Sequence, residues 1–128
     1  MFQDLALFDT AVRMARHAGR MQAASAQNIA NADTPGYRAL RLPDFSDAYA
    51  SREPSGPRAT RPSHLFGVRS DGEADFTRID AAADPNGNTV SLEQEMVWAN
   101  TARRDHGRAL AIYRSGMTIL RTALGGGR

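Results

Sequence analysis

The last third of the chain repeats a heptad spacing that only a long helix can use. After Ser91, successive positions follow at alternating steps of four and three residues. They are Leu92, Met96, Ala99, Arg103, His106, Leu110, Tyr113, Met117, Leu120 and Leu124. This spacing puts the side chains on one side of an α-helix, as a seam that packs against another helix. The pattern therefore predicts a C-terminal heptad helix within residues 91–128, ending in a Gly-rich tail.

The boundaries of this helix are marked by local chemistry. Ser91 is a predicted N-cap, and Gln94 three residues later completes the pattern of a capping box. Glu93 and Glu95 complement the positive end of the helix dipole. Three glycines, 125–127, end the helix because glycine readily leaves the helical conformation.

A second helix is predicted from Asp4, a candidate N-cap, to about Asn31. Its seam positions are Phe8, Val12, Ala15, Gly19, Gln22, Ala26 and Ile29. Two helices of this length cannot hide their seams inside a globule of 128 residues, so they must pack along one another, within the chain or between chains. The predicted fold is mainly α, with the two terminal helices paired as a coiled-coil-like inner domain.

The segment 38–90 separates the helices and contains five of the six prolines. Leu65–Val68 and Asp75–Ile79 flank the dipeptide Asp71-Gly72, which is common in hairpin turns. We therefore expect an irregular middle segment that contains a small β-hairpin. The organisation along the chain is then 1–37, 38–90 and 91–128.

The N-terminal helix ends in a polar, turn-forming segment. Asn28 and Asn31 have short amide side chains that favour helix ends over interiors. Thr34-Pro35-Gly36-Tyr37 has proline and glycine where a type II turn requires them. One hypothesis is that this turn docks against a neighbouring subunit, with Tyr37 as an apolar anchor carrying a polar tip. The alternative is that the segment only ends the helix.

No pattern of catalytic or metal-binding residues stands out. The chain has no cysteine, and His17, His64 and His106 are isolated from other ligands at motif spacing. Residues 84–95 resemble a calcium loop, but Thr89 occupies the position that requires glycine. We expect no enzyme activity, no cofactor, no metal and no small-molecule substrate.

The net charge is +2, and every basic residue is arginine. The arginines of the C-terminal helix are dispersed around it, so nucleic-acid binding is not expected. Arg103 and His106 interrupt the seam, which either fixes register with a partner or marks a solvent-facing stretch. The N-terminus lacks the basic and apolar regions of a cleaved signal peptide, and no apolar run reaches membrane-spanning length. These signals alone indicate a soluble cytoplasmic protein.

The ten residues from Asn28 to Tyr37 resemble the signature of bacterial flagellar axial proteins, which build the rod, hook and hook junction. The resemblance is closest to the FlgB family of proximal rod proteins, on the further evidence of Ala59–Leu65 and of Asp84–Met96. It covers both terminal helices and their junctions. Ser91 stands where the family often has Asp, and either residue can cap a helix.

The resemblance implies a structural subunit of the basal-body rod, the drive shaft that transmits motor torque and encloses the export channel. It implies an assembly motif at Asn28, Asn31, Thr34, Pro35, Gly36 and Tyr37. Implied partners are copies of the chain, other rod proteins, the adaptor to the inner-membrane ring and the export gate. It also implies export through the flagellar type III apparatus without a cleaved signal peptide, which revises the cytoplasmic expectation to a periplasmic rod.

Other functions stay open from the sequence. They are another rod subunit such as a FlgC-type protein, a cytoplasmic coiled-coil adaptor or export chaperone, and a small Arg-rich nucleic-acid binder.

Overall fold

The computed structural model describes residues 2–50, 74–80 and 83–125, with side chains described from residue 6 onward. The elements are α1 (Phe2–Ala30), β1 (Leu40–Arg41), α2 (Phe45–Ala50), β2 (Thr77–Arg78) and α3 (Leu92–Gly125). The predicted mainly helical fold, with the two long terminal helices packed together, is confirmed. Helix α1 begins at Phe2, so Asp4 lies in its first turn and the predicted N-cap there is wrong.

Helix α3 begins where its capping residue predicts. The Ser91 hydroxyl accepts a hydrogen bond from the Gln94 backbone N–H at 3.4 Å, which satisfies a free donor of the first turn. The second half of the capping contact differs from the prediction, because the Ser91 hydroxyl donates to the Glu93 carboxylate at 2.9 Å. Both interactions hold the first turn at the predicted boundary.

The two long helices form an antiparallel hairpin. At one end of the hairpin, Asn28 near the end of α1 donates to Glu95 in the first turns of α3. Towards the other end, the ring of Phe8 lies 5.2 Å from that of Tyr113 and also approaches Gly116. Helix pairing therefore occurs within one chain, one of the two possibilities that the sequence left open.

The contact between the helices lies one residue before the predicted seams. Its buried α1 positions are Ala11, Ala18, Met21, Ser25 and Asn28, and its buried α3 positions are Glu95, Ala102, Ala109 and Gly116. The predicted seams are therefore displaced by one residue from the positions at which α1 and α3 contact each other. Most of the buried residues are small, which lets the two backbones approach closely, whereas larger seam side chains would hold them apart.

The predicted seams instead lie along one side of the hairpin, which we call the heptad face. One residue step turns a side chain by about 100° around the helix axis. Because the helices are antiparallel, the same step on both of them leads to the same side of the hairpin. The heptad face consists of Phe8, Val12, Ala15 and Ile29 from α1, and of Leu92, Met96, Ala99, Leu110, Tyr113, Met117, Leu120 and Leu124 from α3.

The side chains of the heptad face are exposed or half-buried. Val12, Ile29, Leu110 and Tyr113 are 37–41% exposed, Leu92 and Met96 are 45% and 63% exposed, and Leu124 is 86% exposed. Phe8, Ala15, Ala99, Met117 and Leu120 are half-buried at its edge. The helical hairpin therefore presents a stripe of apolar side chains that the described residues leave open.

The middle segment covers the opposite side of the hairpin. Its Leu42 packs with Met21, Ala24 and Ala102 in the core, and Trp98 borders this cluster. Strand β1 pairs antiparallel with β2, with Leu40 opposite Arg78 and Arg41 opposite Thr77. The predicted hairpin is therefore corrected in one half, because β2 pairs with β1. Its other half, Leu65–Val68, lies outside the described residues.

Candidate assembly site

Asn28 is the centre of a buried polar network that we call the motif joint, formed by residues 28–41 and 84–95. Asn28 is fully buried. Its amide nitrogen donates to the Leu40 carbonyl at 2.9 Å and to Glu95 Oε1 at 3.0 Å. Its amide oxygen accepts from the Leu40 N–H at 2.9 Å and from the Tyr37 hydroxyl at 3.3 Å. One side chain thus ties α1 to β1, to the turn and to α3.

Glu95 carries the charge of the motif joint and is fully buried. Its carboxylate accepts hydrogen bonds from both terminal nitrogens of Arg41, at 2.6 and 2.9 Å, so the two side chains form a bidentate ion pair. The Arg41 guanidinium also lies 5.2 Å from the centre of the Trp98 ring, in a cation–π contact. A buried charge needs a partner and further hydrogen bonds to be tolerated. Glu95 has both, from Arg41 and Asn28.

Asn88 binds the turn that follows α1. Its side-chain nitrogen lies within hydrogen-bonding distance, 2.7–3.0 Å, of the carbonyls of Asn31, Ala32 and Thr34. Its side-chain oxygen accepts from the Val90 N–H at 2.8 Å. These carbonyls lie in the turn just beyond Ala30, the last residue of α1, where no following helical turn supplies donors. Asn88 supplies these donors from the segment that leads into α3.

The predicted type II turn is present. The Tyr37 N–H bonds to the Thr34 carbonyl at 3.2 Å, and Gly36 has φ of 72°, which this turn requires at its third position. The Gly36 N–H donates to the Asn86 carbonyl at 3.0 Å. Gly87, with φ of 80°, packs against Gly36, so two glycines meet where the two segments cross. The turn is therefore half of an intrachain contact as well as a helix stop.

The structure divides the six predicted assembly residues into two groups. Asn28 and Tyr37 belong to the motif joint, where Asn28 is buried and Tyr37 half-buried. Thr34, Pro35 and Gly36 are exposed, and Asn31 is half-buried with its amide nitrogen on the Gln27 carbonyl. Asn28 and Tyr37 thus bond to other residues of the same chain, and no neighbouring subunit is needed to explain these two residues. The first group stabilises the fold, and the second is accessible to a partner.

Three members of the motif joint were not singled out from the sequence: Arg41, Asn88 and Glu95. Glu95 was interpreted only as a charge at the start of a helix. Its place in the helix contact is indicated by the seven-residue steps from Glu95 to Ala102, Ala109 and Gly116, all of which are buried. Residues 84–88, the first part of the stretch that resembles a calcium loop, form a turn. The side chain of Asn88 at its end bonds to residues just after α1.

His17 anchors the segment that leads into α2. Its Nε2 atom lies 2.9 Å from the Pro43 carbonyl, and its ring packs against Phe45 at 5.6 Å between ring centres. Burial lowers the pKa of His17, outweighing the bond to Pro43, which raises it. Arg20 lowers this pKa further, while Asp44 and Asp105 raise it. The residue thus packs as a neutral side chain on the covered side of the hairpin.

No group of three or more His, Asp or Glu side chains in 2–50, 74–80 and 83–125 is placed to hold a metal ion. Within the same ranges, neither long helix has the length and apolar character needed to cross a membrane.

Comparison with models of known protein families gives no match, and comparison with curated proteins finds no similar sequence.

Proposed function

We propose that the chain is a structural, non-catalytic subunit of the proximal rod of a bacterial flagellar basal body, of the FlgB type. The observation that carries this proposal is the heptad face, an apolar stripe that Arg103 and His106 interrupt in the middle of α3 and that lies one residue beyond the buried contact between the helices. A repeating stripe of 3.5-residue period is the pattern by which helices pack against further helices. The hairpin therefore presents a surface suited to assembly.

The motif joint also supports this proposal, because it connects the two terminal helices. The segment Asn28–Tyr37, which resembles the axial-protein signature, holds the two terminal helices in one antiparallel unit through Asn28, Glu95 and Asn88. A rod that transmits torque needs subunits whose terminal helices do not separate under load. A buried, fully hydrogen-bonded network provides such a connection because each partner lost leaves another polar group unsatisfied.

The partners that fit this role are other copies of the chain, neighbouring rod proteins, the adaptor to the inner-membrane ring and the export gate. Helical rods use heterologous contacts, in which one patch meets a different patch on the next copy. The heptad face and the exposed part of the turn, Thr34 and Pro35, are two such patches. Under this proposal the chain leaves the cell interior through the type III export apparatus and lies in the periplasmic rod.

The test is to locate the protein in purified basal bodies of cells that produce it. We expect it in the rod, and we expect loss of the gene to abolish flagellar assembly beyond the inner ring. The double variant Leu110→Asp/Tyr113→Asp on the heptad face should fail to restore motility, whereas Arg104→Asp/Arg108→Asp, on another side of α3, should restore it. Motile cells after deletion, or protein found only in the soluble fraction, would contradict the proposal and favour a cytoplasmic adaptor.

A further inference from the structure

The charges of the molecule are separated along the length of the hairpin. The end that contains the motif joint, described over 31–50, 74–80 and 83–95, carries eight Asp or Glu residues and three Arg residues. Helix α3 beyond Glu95 carries five Arg residues and one Asp. The small net charge of the chain therefore conceals an acidic end and a basic helix.

The free end of α3 is both apolar and basic. Leu124 is 86% exposed and Ile119 is 64% exposed, the two highest values among the large apolar side chains that are described as exposed. Arg121 lies within one helical turn of Leu124, and Arg114 lies about two turns before Arg121 on the same side of the helix; both arginines are exposed. Within the described residues neither arginine makes an ion pair. This end of α3 therefore offers apolar contact together with positive charge.

A groove of complementary character lies at the opposite end of the hairpin. It has a volume of about 610 Å³ and lies between β1, the segment before α2, and the start of α3. Its apolar wall includes Leu42, Pro43 and Trp98, and its charged lining residues are Asp44 and Arg41. Arg41 is paired with Glu95, whereas Asp44 makes no ion pair among the described residues. Asp44 is therefore the unpaired charge of the groove, which favours an apolar segment that carries arginine.

We propose that the C-terminal part of α3 in one copy, around Arg114, Arg121 and Leu124, docks in this groove of a second copy. The proposal rests on the proposed function, which it deepens by naming the two surfaces that join copies. The two surfaces differ and lie at opposite ends of the hairpin. Such a contact is heterologous and repeats without closing, so it adds copies in a line from head to tail.

The direction of the helices agrees with this arrangement. The groove includes Ser91 and Gln94 at the start of α3, which is the positive end of that helix dipole. The docking segment brings the carbonyl-bearing, negative end of another α3 to that position. Asp44 of the groove pairs with an arginine of the helix, while the helix ends meet with opposite polarity.

The test measures the mass of the purified full chain by sedimentation velocity across protein concentration, at about 0.05 M and at about 0.5 M salt. Exposed charges are screened far more strongly at the higher salt. We expect a mass that grows with concentration past that of a dimer at low salt, and a marked weakening at high salt. A monomer at all concentrations, a closed dimer, or association independent of salt would each overturn the proposal.

Charge-reversal variants identify the surfaces. Arg114→Glu/Arg121→Glu and Asp44→Arg should each weaken association at least about tenfold, or about 1.4 kcal/mol. Mixing the two variants should restore pairing, because the unchanged arginines of the groove variant can then meet the unchanged Asp44 of the helix variant, whereas each variant alone brings like charges together. Arg104→Glu/Arg108→Glu changes the charge of the same helix equally on another side, and it should associate as the unmodified chain does.

Circular dichroism establishes that each variant is folded before its mass is compared. Equal weakening in the Arg104/Arg108 control, or failure of the mixed variants to pair, would overturn the proposal. The location of the protein in basal bodies distinguishes a failure of the docking contact from a failure of the proposed function. If the protein lies in the rod but Arg114→Glu/Arg121→Glu incorporates normally, the docking contact is wrong and the function stands. If head-to-tail association occurs in a protein absent from basal bodies, the function is wrong.

Discussion

The motif joint and the helical part of the hairpin are built from opposite kinds of residue. In the motif joint the largest fully buried side chains are Glu95, Asn28 and Asn88, all of them polar. Along the rest of the hairpin the buried contacts are mainly Ala and Gly, and the large apolar side chains point outward. A polar network requires specific partners, whereas alanine contacts tolerate sliding. The motif joint therefore sets the register of the hairpin, and the helices beyond it leave their apolar surface for other contacts.

The largest effect is expected from Glu95→Gln in the motif joint. The change leaves the half-buried Arg41 guanidinium without its bidentate partner, and the loss of one member of a buried pair lowers the free energy of unfolding by about 3–5 kcal/mol. Chemical denaturation measures this change. Asp105→Asn, which removes the exposed pair with Arg108, is the matched control and should lower it by about 0.5 kcal/mol or less. Equal effects from the two changes would contradict the contrast between the two regions.

Asn88→Ala is expected to be the next most destabilising change. It removes the donors to the carbonyls of Asn31, Ala32 and Thr34, together with a side chain that is 1% exposed. The free energy of unfolding should fall by about 2–3 kcal/mol. Asn31→Ala is the control, because it loses exposed side-chain bonds to the Gln27 carbonyl and from the Thr34 hydroxyl but keeps the backbone carbonyl that Asn88 binds. If Asn88→Ala were no more destabilising than Asn31→Ala in denaturation, the turn would not depend on the segment before α3.

Ala109→Leu tests the close approach of the helices away from the motif joint. Ala109 is 1% exposed, so a larger side chain must displace the facing backbone of α1, and overpacking lowers the free energy of unfolding by about 1–3 kcal/mol. Ala111→Leu, at an exposed position of the same helix, is the control and should have little effect. Thermal unfolding of both variants, followed by circular dichroism, gives the comparison. A stabilising Ala109→Leu would mean that the helices do not pack closely there.

His17 gives the hairpin a pH dependence on its covered side. Its pKa is lowered in the folded chain, so the unfolded chain takes up the proton first as the pH falls below the ordinary value near 6.5. Its contribution to the free energy of unfolding is therefore complete above that pH and declines as the pH falls towards the lowered pKa. Denaturation at pH 7.5 and pH 5 should show this decline in the unmodified chain. His17→Gln should show a smaller decline, and an equal one would contradict the assignment.

Leu110→Ser on the heptad face should have the smallest effect on the isolated chain. Leu110 is 37% exposed and lies outside the contact between the helices, so the free energy of unfolding should change by about 0.5 kcal/mol or less. Denaturation measures it, with Ala109→Leu as the internal contrast. A loss of several kcal/mol would show that the heptad face is part of the folded core rather than a surface for partners.

Much of the architecture could be predicted from short-range patterns. The C-terminal end of α1, the ends of α3, the Ser91 cap and the type II turn at Thr34–Tyr37 depend on backbone groups a few residues apart, and the sequence displays those residues directly. The register of the helix contact could not be predicted in this way. Large apolar residues marked the seams, but the pairing of Asn28 with Glu95 and the small size of Ala102 and Ala109 rotate the contact by one residue.

The sequence by itself determined that two long helices enclose a Pro-rich middle and that the first of them stops at a polar turn. It also determined the heptad stripe on each helix. Only the tertiary structure decided that the helices pair within one chain and that both stripes lie on one side. Only the tertiary structure joined Asn28, Arg41, Asn88 and Glu95, because these residues come from segments far apart in sequence. Their hydrogen bonds exist only after the chain has folded back on itself.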